Sequence, residues 1–309
     1  MARPRNDWID YLQYLALRAV HMVMHCWPVA WNLEFACMVG YIMYRFDKRH
    51  RLRAIGNLTR SFPHYPRKRI EAMALQSMQQ TLMLGVEVMF TTRLIRMENF
   101  TRYIRLGDFG ESLKLLMDRH NGLIVLTGHY GNWEILGYTL ATLGFRTVSV
   151  ARPLDNKYVN EWVLGVRERK GQRIVDKKGA TAITTATLEA KGTVGIIADQ
   201  NAGPKGLFVD FFGRKASTHK SIGLLAMQYN VPIVIGYARR LGRNFTFQIG
   251  TQDIIYPQDW ATQDQPLHYI TQRYTKAIED FVTEDPGQYL WLHRRWKTRP
   301  KGEAPEQYD

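Results

Sequence analysis

The chain has 309 residues, 45% of them hydrophobic and 12% aromatic, which fills a sizeable core and excludes an intrinsically disordered protein. Its 42 basic residues against 28 acidic give a net charge of +14, a balance that favours a polyanionic partner. A mean hydropathy of −0.31 excludes a polytopic membrane protein, and two cysteines, Cys26 and Cys37, are too few for a disulfide framework or a multi-cysteine zinc site and fit a reducing compartment.

The N-terminus opens with Arg3 and Arg5, and residues 8–47 read as helical. The uncharged run from Ala19 to Leu33 is shorter than the ~20 apolar residues a spanning helix needs, contains Pro28 and ends at Glu34. Trp8, Tyr11, Tyr14, Trp27, Trp31, Tyr41 and Tyr44 interleave with Met and Leu, as side chains at a headgroup boundary do. Arg45, Lys48, Arg49, Arg51 and Arg53 follow as a polybasic collar would. The segment is therefore expected to lie in, or dip into, one leaflet, with an ordinary core-packed helical hairpin as the alternative. No small-residue cleavage site follows a clean apolar segment, so an exported chain is not expected.

Residues 66–97 form a helical pattern opened by Pro66, with Ile70, Met73, Ala74, Ser77, Met78 and Leu82 on one face. From residue 121 short apolar runs alternate with helical ones. Strands are predicted at 123–127, 147–151, 193–198 and 232–238, and helices at 132–143, 156–170, 180–190 and 220–229. Leu241-Gly-Arg-Asn244 reads as a hairpin turn into 245–249, and Leu267, Ile270, Tyr274, Ile278 and Phe281 form a last helical stripe after Pro266. The expected fold is α/β: a layered domain with a mixed, mostly parallel central sheet flanked by helices over 51–309, plus an N-terminal membrane-associating helical segment over 1–50.

The chemistry concentrates in Thr127-Gly-His-Tyr-Gly-Asn-Trp-Glu134, where a buried strand gives way to a helix. Strand ends are where α/β domains place ligands. Gly131 permits a sharp turn and Asn132 can cap the new helix. Glu134, five residues after His129, can fold back onto one imidazole nitrogen and leave the other as a general base for a hydroxyl or amine. Zinc is disfavoured, since no second His or Cys lies nearby at ligand spacing.

In this setting His129-x4-Glu134 resembles the bacterial lipid A late acyltransferases (the lauroyl/myristoyl acyltransferase family), which also includes phosphatidylinositol mannoside acyltransferases. Further matches follow in order: Asn57-Leu58 with Phe62-Pro63, Arg152-Pro153, Arg167-Glu-Arg169, Ala198-Asp-Gln200, Val209-Asp-Phe-Phe-Gly213 with Ser217-Thr218, and Tyr289-Leu-Trp-Leu-His-Arg-Arg-Trp-Lys297. The resemblance runs over roughly residues 8–299, and such motifs in order are specific where each alone is weak.

The resemblance implies transfer of an acyl chain from an acyl carrier protein or coenzyme A thioester to a glycolipid hydroxyl such as that of a lipid A precursor, without a cofactor or metal. It implies His129 and Glu134 as the catalytic pair, and Arg152, Arg167, Arg169 and Asp199 as substrate-binding residues. Guanidinium groups suit sugar or pantetheine phosphates, and Asp199 could orient a sugar hydroxyl or a nearby Arg. An acidic carrier and anionic lipid would also account for the basic charge, and Arg294, Arg295, Lys297, Arg299 and Lys301 could serve either partner. The implied place is the cytoplasmic face of a bacterial inner membrane, held peripherally or by one anchor. Another acceptor, a phosphoinositide mannoside or an amino-lipid, remains open, as does a non-catalytic lipid-binding relative. Nucleic acid is not expected as a partner: there is no zinc-finger spacing, aromatic RNA-binding signature or P-loop.

Overall fold

An uncharged run without polar alternation needs cover on both faces if it is a strand. The computed structural model describes residues 6–118, 121–176 and 179–304; Arg3 and Arg5 lie outside them. Its strands are β1 (Ile104–Leu106), β2 (Leu123–Thr127), β3 (Thr147–Ala151), β4 (Arg173–Asp176), β5 (Thr193–Ile197), β6 (Leu207–Phe211), β7 (Arg214–Thr218), β8 (Ile233–Arg240) and β9 (Phe247–Ile255). The sheet order is β1-β9-β8-β2-β5-β3-β4, with β6 and β7 as a separate hairpin. Pairing is parallel from β8 through β4, while β9 runs antiparallel to β8 and carries β1 with it. The sheet is thus mixed and mostly parallel, as the alternating pattern predicts.

The helices are α1 (Asp7–His25), α2 (Val29–Phe46), α3 (Lys48–Ser61), α4 (Arg67–Leu94), α5 (Gly110–Met117), α6 (Trp133–Thr142), α7 (Lys157–Glu168), α8 (Ala180–Glu189), α9 (Ser221–Tyr229), α10 (Pro257–Ala261) and α11 (Pro266–Glu284). Strand β2 is buried throughout and its side chains alternate between two cores. Ile124 and Leu126 join Ile270, Tyr274, Ile278 and Phe281 of α11 and the buried Trp291 and Trp296. Leu123 and Val125 join Ile135 and Leu136 of α6 and Met83, Val86 and Phe90 of α4.

The N-terminal segment is two helices parted at Pro28, which has no N–H to continue the first. The second, α2, packs on α4 through Leu33, Ala36, Cys37 and Gly40. A Cβ on Gly40 would come within 2.7 Å of the Gln79 backbone, and Gln79 Nε2 donates to the Cys37 carbonyl at 3.0 Å. The opposite face of α2 exposes Trp31, Phe35, Met38, Ile42 and Phe46, spaced three or four apart; α1 exposes Trp8, Leu12 and Leu15 at the same spacing and Met22 two turns on. Among the described residues no helix is long and apolar enough to cross a membrane.

The basic stretch after residue 45 is not a solvated collar throughout. It opens α3, capped by the Asp47 side chain on the His50 N–H. Arg53 is 6% exposed and donates to the Leu292 carbonyl, and Arg51 turns back onto the carbonyls of Tyr44 and Arg45. Arg295, expected at the surface for a partner, is 2% exposed and donates to the Ser217 carbonyl and the Thr218 hydroxyl.

One ion pair is wholly inside. Arg240, the last residue of β8, grips both carboxylate oxygens of Glu87 on α4, with Nε and Nη2 at 2.5 and 2.6 Å, and also donates to Gln80. Glu87 in turn accepts from Asn132 Nδ2 at 2.7 Å, and Gln288 bonds both the N–H and the carbonyl of Arg240. Breaking a buried pair on one side strands the other charge. Arg240→Leu is therefore expected to destabilise the protein by about 3–5 kcal/mol, read as a lower urea midpoint.

Candidate active site

The turn after β2 is over-determined. Gly131 adopts φ +55°, and a Cβ there would lie 2.0 Å from the Ala238 carbonyl oxygen, so only glycine fits. Its N–H donates to Gln288 O, its carbonyl accepts from Gln80 Nε2, and the next N–H, of Asn132, donates to Ala238 O. Asn132 caps α6 by accepting from the Ile135 N–H at 3.0 Å. On the other side, Leu290 N–H donates to the His129 carbonyl. His129 is thus held at the strand end by α4, β8 and the C-terminal segment.

The carboxylate on its imidazole is Asp199. His129 Nδ1 lies 2.6 Å from Asp199 Oδ1, and the His129 N–H donates to Oδ2 at 2.9 Å. Strand register produces this pair. Thr127 of β2 sits opposite Ile197 of β5, so two residues further on 129 meets 199. Burial works to raise the Asp199 pKa, but the His129 charge and hydrogen bonds overcome it and hold the carboxyl at about 2. An ionised carboxylate only accepts, so Nδ1 carries a proton, and in the neutral imidazole Nε2 holds the lone pair. Burial likewise works to lower the His129 pKa, and the charge and hydrogen bond of Asp199, with Glu134 behind them, raise it above 6.5. The Trp133 ring packs edge-on against the imidazole at 4.7 Å.

The fold-back of Glu134 onto His129 does not occur. Glu134 lies in the first turn of α6 and is claimed by Arg167 of α7, with Nε at 2.8 Å and Nη2 at 2.5 Å, and by Trp133 Nε1 at 3.2 Å. A two-point guanidinium fork outcompetes an imidazole for the same two oxygens. The pair still borders the site, since the Glu134 charge acts on His129. The predicted residues therefore divide. His129 and Asp199 are in contact, with Glu134 and Arg167 as an ion pair beside them. Arg152 stands 80% exposed against Asp155. Arg169 caps the far end of α7, where its charge acts on Tyr138.

Three further residues complete the surroundings. The Tyr289 phenol, buried and interacting with Asp199, is pushed well above its ordinary pKa by burial. Burial lowers His293 to about 4, and this neutral ring accepts the Asn201 N–H on Nε2 at 3.2 Å. Gln200 Nε2 lies 3.3 Å from His129 Nε2. In sequence, only position beside Asp199 and inside the Tyr289–Lys297 block marks them.

A half-buried strand-end histidine whose Nδ1 is held by an ionised carboxylate has the geometry a general base requires. Residues 3–298 match the family described as bacterial lipid A biosynthesis acyltransferase. The chain belongs to this family. Among its relatives are the lipid A biosynthesis lauroyltransferase of Escherichia coli, 24% identical over 96% of this chain and 95% of the relative, and the lipid A biosynthesis palmitoleoyltransferase of the same organism, 26% identical over 86% and 85%. A lipid A biosynthesis acyltransferase of Haemophilus influenzae is 27% identical over 82% and 79%. The protein is an acyltransferase, and the enzymatic class implied by the motif resemblance stands.

The Asp199 contact makes a signed prediction for this acyltransferase. In Asp199→Asn the charge that raises His129 is gone and burial is left to lower it. The imidazole, followed by NMR, is expected to titrate at lower pH than in wild type. If His129 serves as the base, activity emerges as pH rises through this pKa, and the acid limb of acyl transfer should also move down in pH. Its plateau should fall by roughly 10²–10⁴-fold, because the tautomer is no longer held.

Proposed function

We propose that this acyltransferase carries a fatty acyl chain from the thioester of acyl carrier protein or coenzyme A to a hydroxyl of a glycolipid such as a lipid A precursor, with His129 as general base. The observation that carries the reading is the His129–Asp199 contact at 2.6 Å with Nε2 left as a lone-pair acceptor. The acceptor hydroxyl gives its proton to Nε2 as its oxygen attacks the thioester carbonyl carbon. The tetrahedral oxyanion collapses, the C–S bond breaks, and the proton on Nε2 passes to the departing thiolate. Asp199 stabilises the imidazolium that exists between these steps. Glu134 adds negative charge nearby, and Arg167 holds it in place.

The apolar stripes of α1 and α2 support peripheral attachment to a membrane surface, with the site's donor arriving from the cytoplasmic face of a bacterial inner membrane. Exposed Trp31, Phe35 and Phe46 are the side chains such an interface takes up. The net charge of +14 favours both an acidic carrier and anionic lipid.

Two measurements test the reading. His129→Ala should lower thioester-dependent acyl transfer to the lipid A precursor by at least about 10²-fold, with circular dichroism unchanged; activity within a few-fold of wild type would remove the base. Trp31→Asp combined with Phe35→Asp should shift the protein from pellet to supernatant when spun with vesicles containing phosphatidylglycerol, and unchanged sedimentation would place the attachment elsewhere.

A further inference from the structure

Gln200 is held firmly by its main chain and by a single contact in its side chain. Its carbonyl accepts from Arg295 Nη1 at 3.3 Å. The next residue, Asn201, is fixed through its N–H to His293 Nε2 and through Nδ2 to the Thr298 hydroxyl at 3.0 Å. The Gln200 side chain, by contrast, is half-buried, and among the described residues its hydrogen bonding goes to one place, the Nε2 of His129.

That nitrogen has a single in-plane lone pair. In the neutral imidazole, with the proton on Nδ1 facing Asp199, the Gln200 amide presents its NH₂ group to Nε2. An acceptor hydroxyl has to donate to the same lone pair before it can be deprotonated. The amide and the hydroxyl therefore compete for one position, and so does water. A water molecule that reached Nε2 would give up its proton there, its oxygen would attack the thioester carbonyl carbon, and the C–S bond would break. The products would be a free fatty acid and a thiol, the thiolate recovering the proton from Nε2.

We propose that the Gln200 carboxamide is a gate on the general base: it fills the acceptor hydroxyl's place in the free enzyme, denies Nε2 to water, and yields it to the acceptor lipid. This inference rests on the assignment of His129 as base and deepens it. The gate works because the competitors differ in strength. One neutral hydrogen bond is worth only a few-fold to roughly tenfold in an equilibrium. That suffices against a single unanchored water. A lipid anchored by its chains and headgroup displaces it, and the fixed main chain lets the side chain swing aside on its own rotatable bonds without disturbing Asp199.

The test separates hydrolysis from transfer. Dodecanoyl thioesters of acyl carrier protein and of coenzyme A are the donor probes, and lipid A precursor is the acceptor. Thiol release is measured without acceptor, and acylated lipid is measured with it. In Gln200→Ala the ratio of hydrolysis to transfer is expected to rise about three- to tenfold. Gln200→Met, which keeps the length without the donor, should behave the same way and serves if the alanine variant folds poorly. In Gln200→Glu a carboxylate beside Nε2 favours the imidazolium, so the acid limb of transfer should move to higher pH. Parallel loss of both activities, or an unchanged ratio in a variant whose transfer still requires His129, overturns the gate and leaves the base in place. If transfer by the wild type is indifferent to His129→Ala, the base assignment falls, and the gate with it.

Discussion

The bidentate pair between Arg240 and Glu87 is the joint on which the site is hung. Neither side chain reaches solvent, and each is bonded by further groups, as a buried pair requires if desolvation is not to outweigh attraction. Through Asn132 the pair fixes the start of α6; through Gln80 it fixes the Gly131 carbonyl; through Gln288 it ties the C-terminal segment to the end of β8. Three stretches distant in sequence thus converge on Gly131 and Asn132, two and three residues after His129. A hydrophobic cluster of equal volume would have filled the space, but it would not have specified the direction in which the strand leaves the sheet.

From that joint the His129–Asp199 contact follows by register. Adjacent parallel strands β2 and β5 end side by side, and each continues by two residues before turning away. His129 and Asp199 are the residues at those positions. The low dielectric of the site cuts in opposite directions on the two partners, and their mutual attraction settles both: the acid is driven down, the base up. The outcome is an imidazole whose Nδ1 is held by a carboxylate, so that its neutral form has one fixed tautomer.

Much of this was legible along the chain, for reasons that also define where legibility stopped. The alternation of apolar runs with helical stripes gives the mixed sheet, since both periods are local properties. The hairpin from β8 to β9 is announced by Gly242, and the His129 turn by Gly131 and Asn132. Strand order is not local. Nothing in the sequence states that β5 rather than β3 lies beside β2, so the nearest carboxylate in sequence, Glu134, was paired with His129, while the nearest in space came from 70 residues away. Arg167 was drawn toward a substrate phosphate, though its fork closes on Glu134. Arg53 and Arg295 read as surface charge because burial of a guanidinium depends on carbonyls contributed by remote loops. The short elements β1, α5, β4 and the β6–β7 hairpin lack a periodic signature long enough to stand out.

Neighbouring residues of α4 serve different neighbours. Gln79 grips α2 at the Cys37 carbonyl, and Gln80 grips the turn after His129 at the Gly131 carbonyl. Because Gly40 brings the α2 backbone against Gln79 with no room for even a methyl group, the spacing between the two grips has no slack. Trp31 and Phe35 stand on the exposed face of that same α2. The exposed apolar face of α2 and the turn that carries His129 are thus linked through adjacent side chains of a single helix, so what presses on the one is felt at the other without passing through a flexible loop.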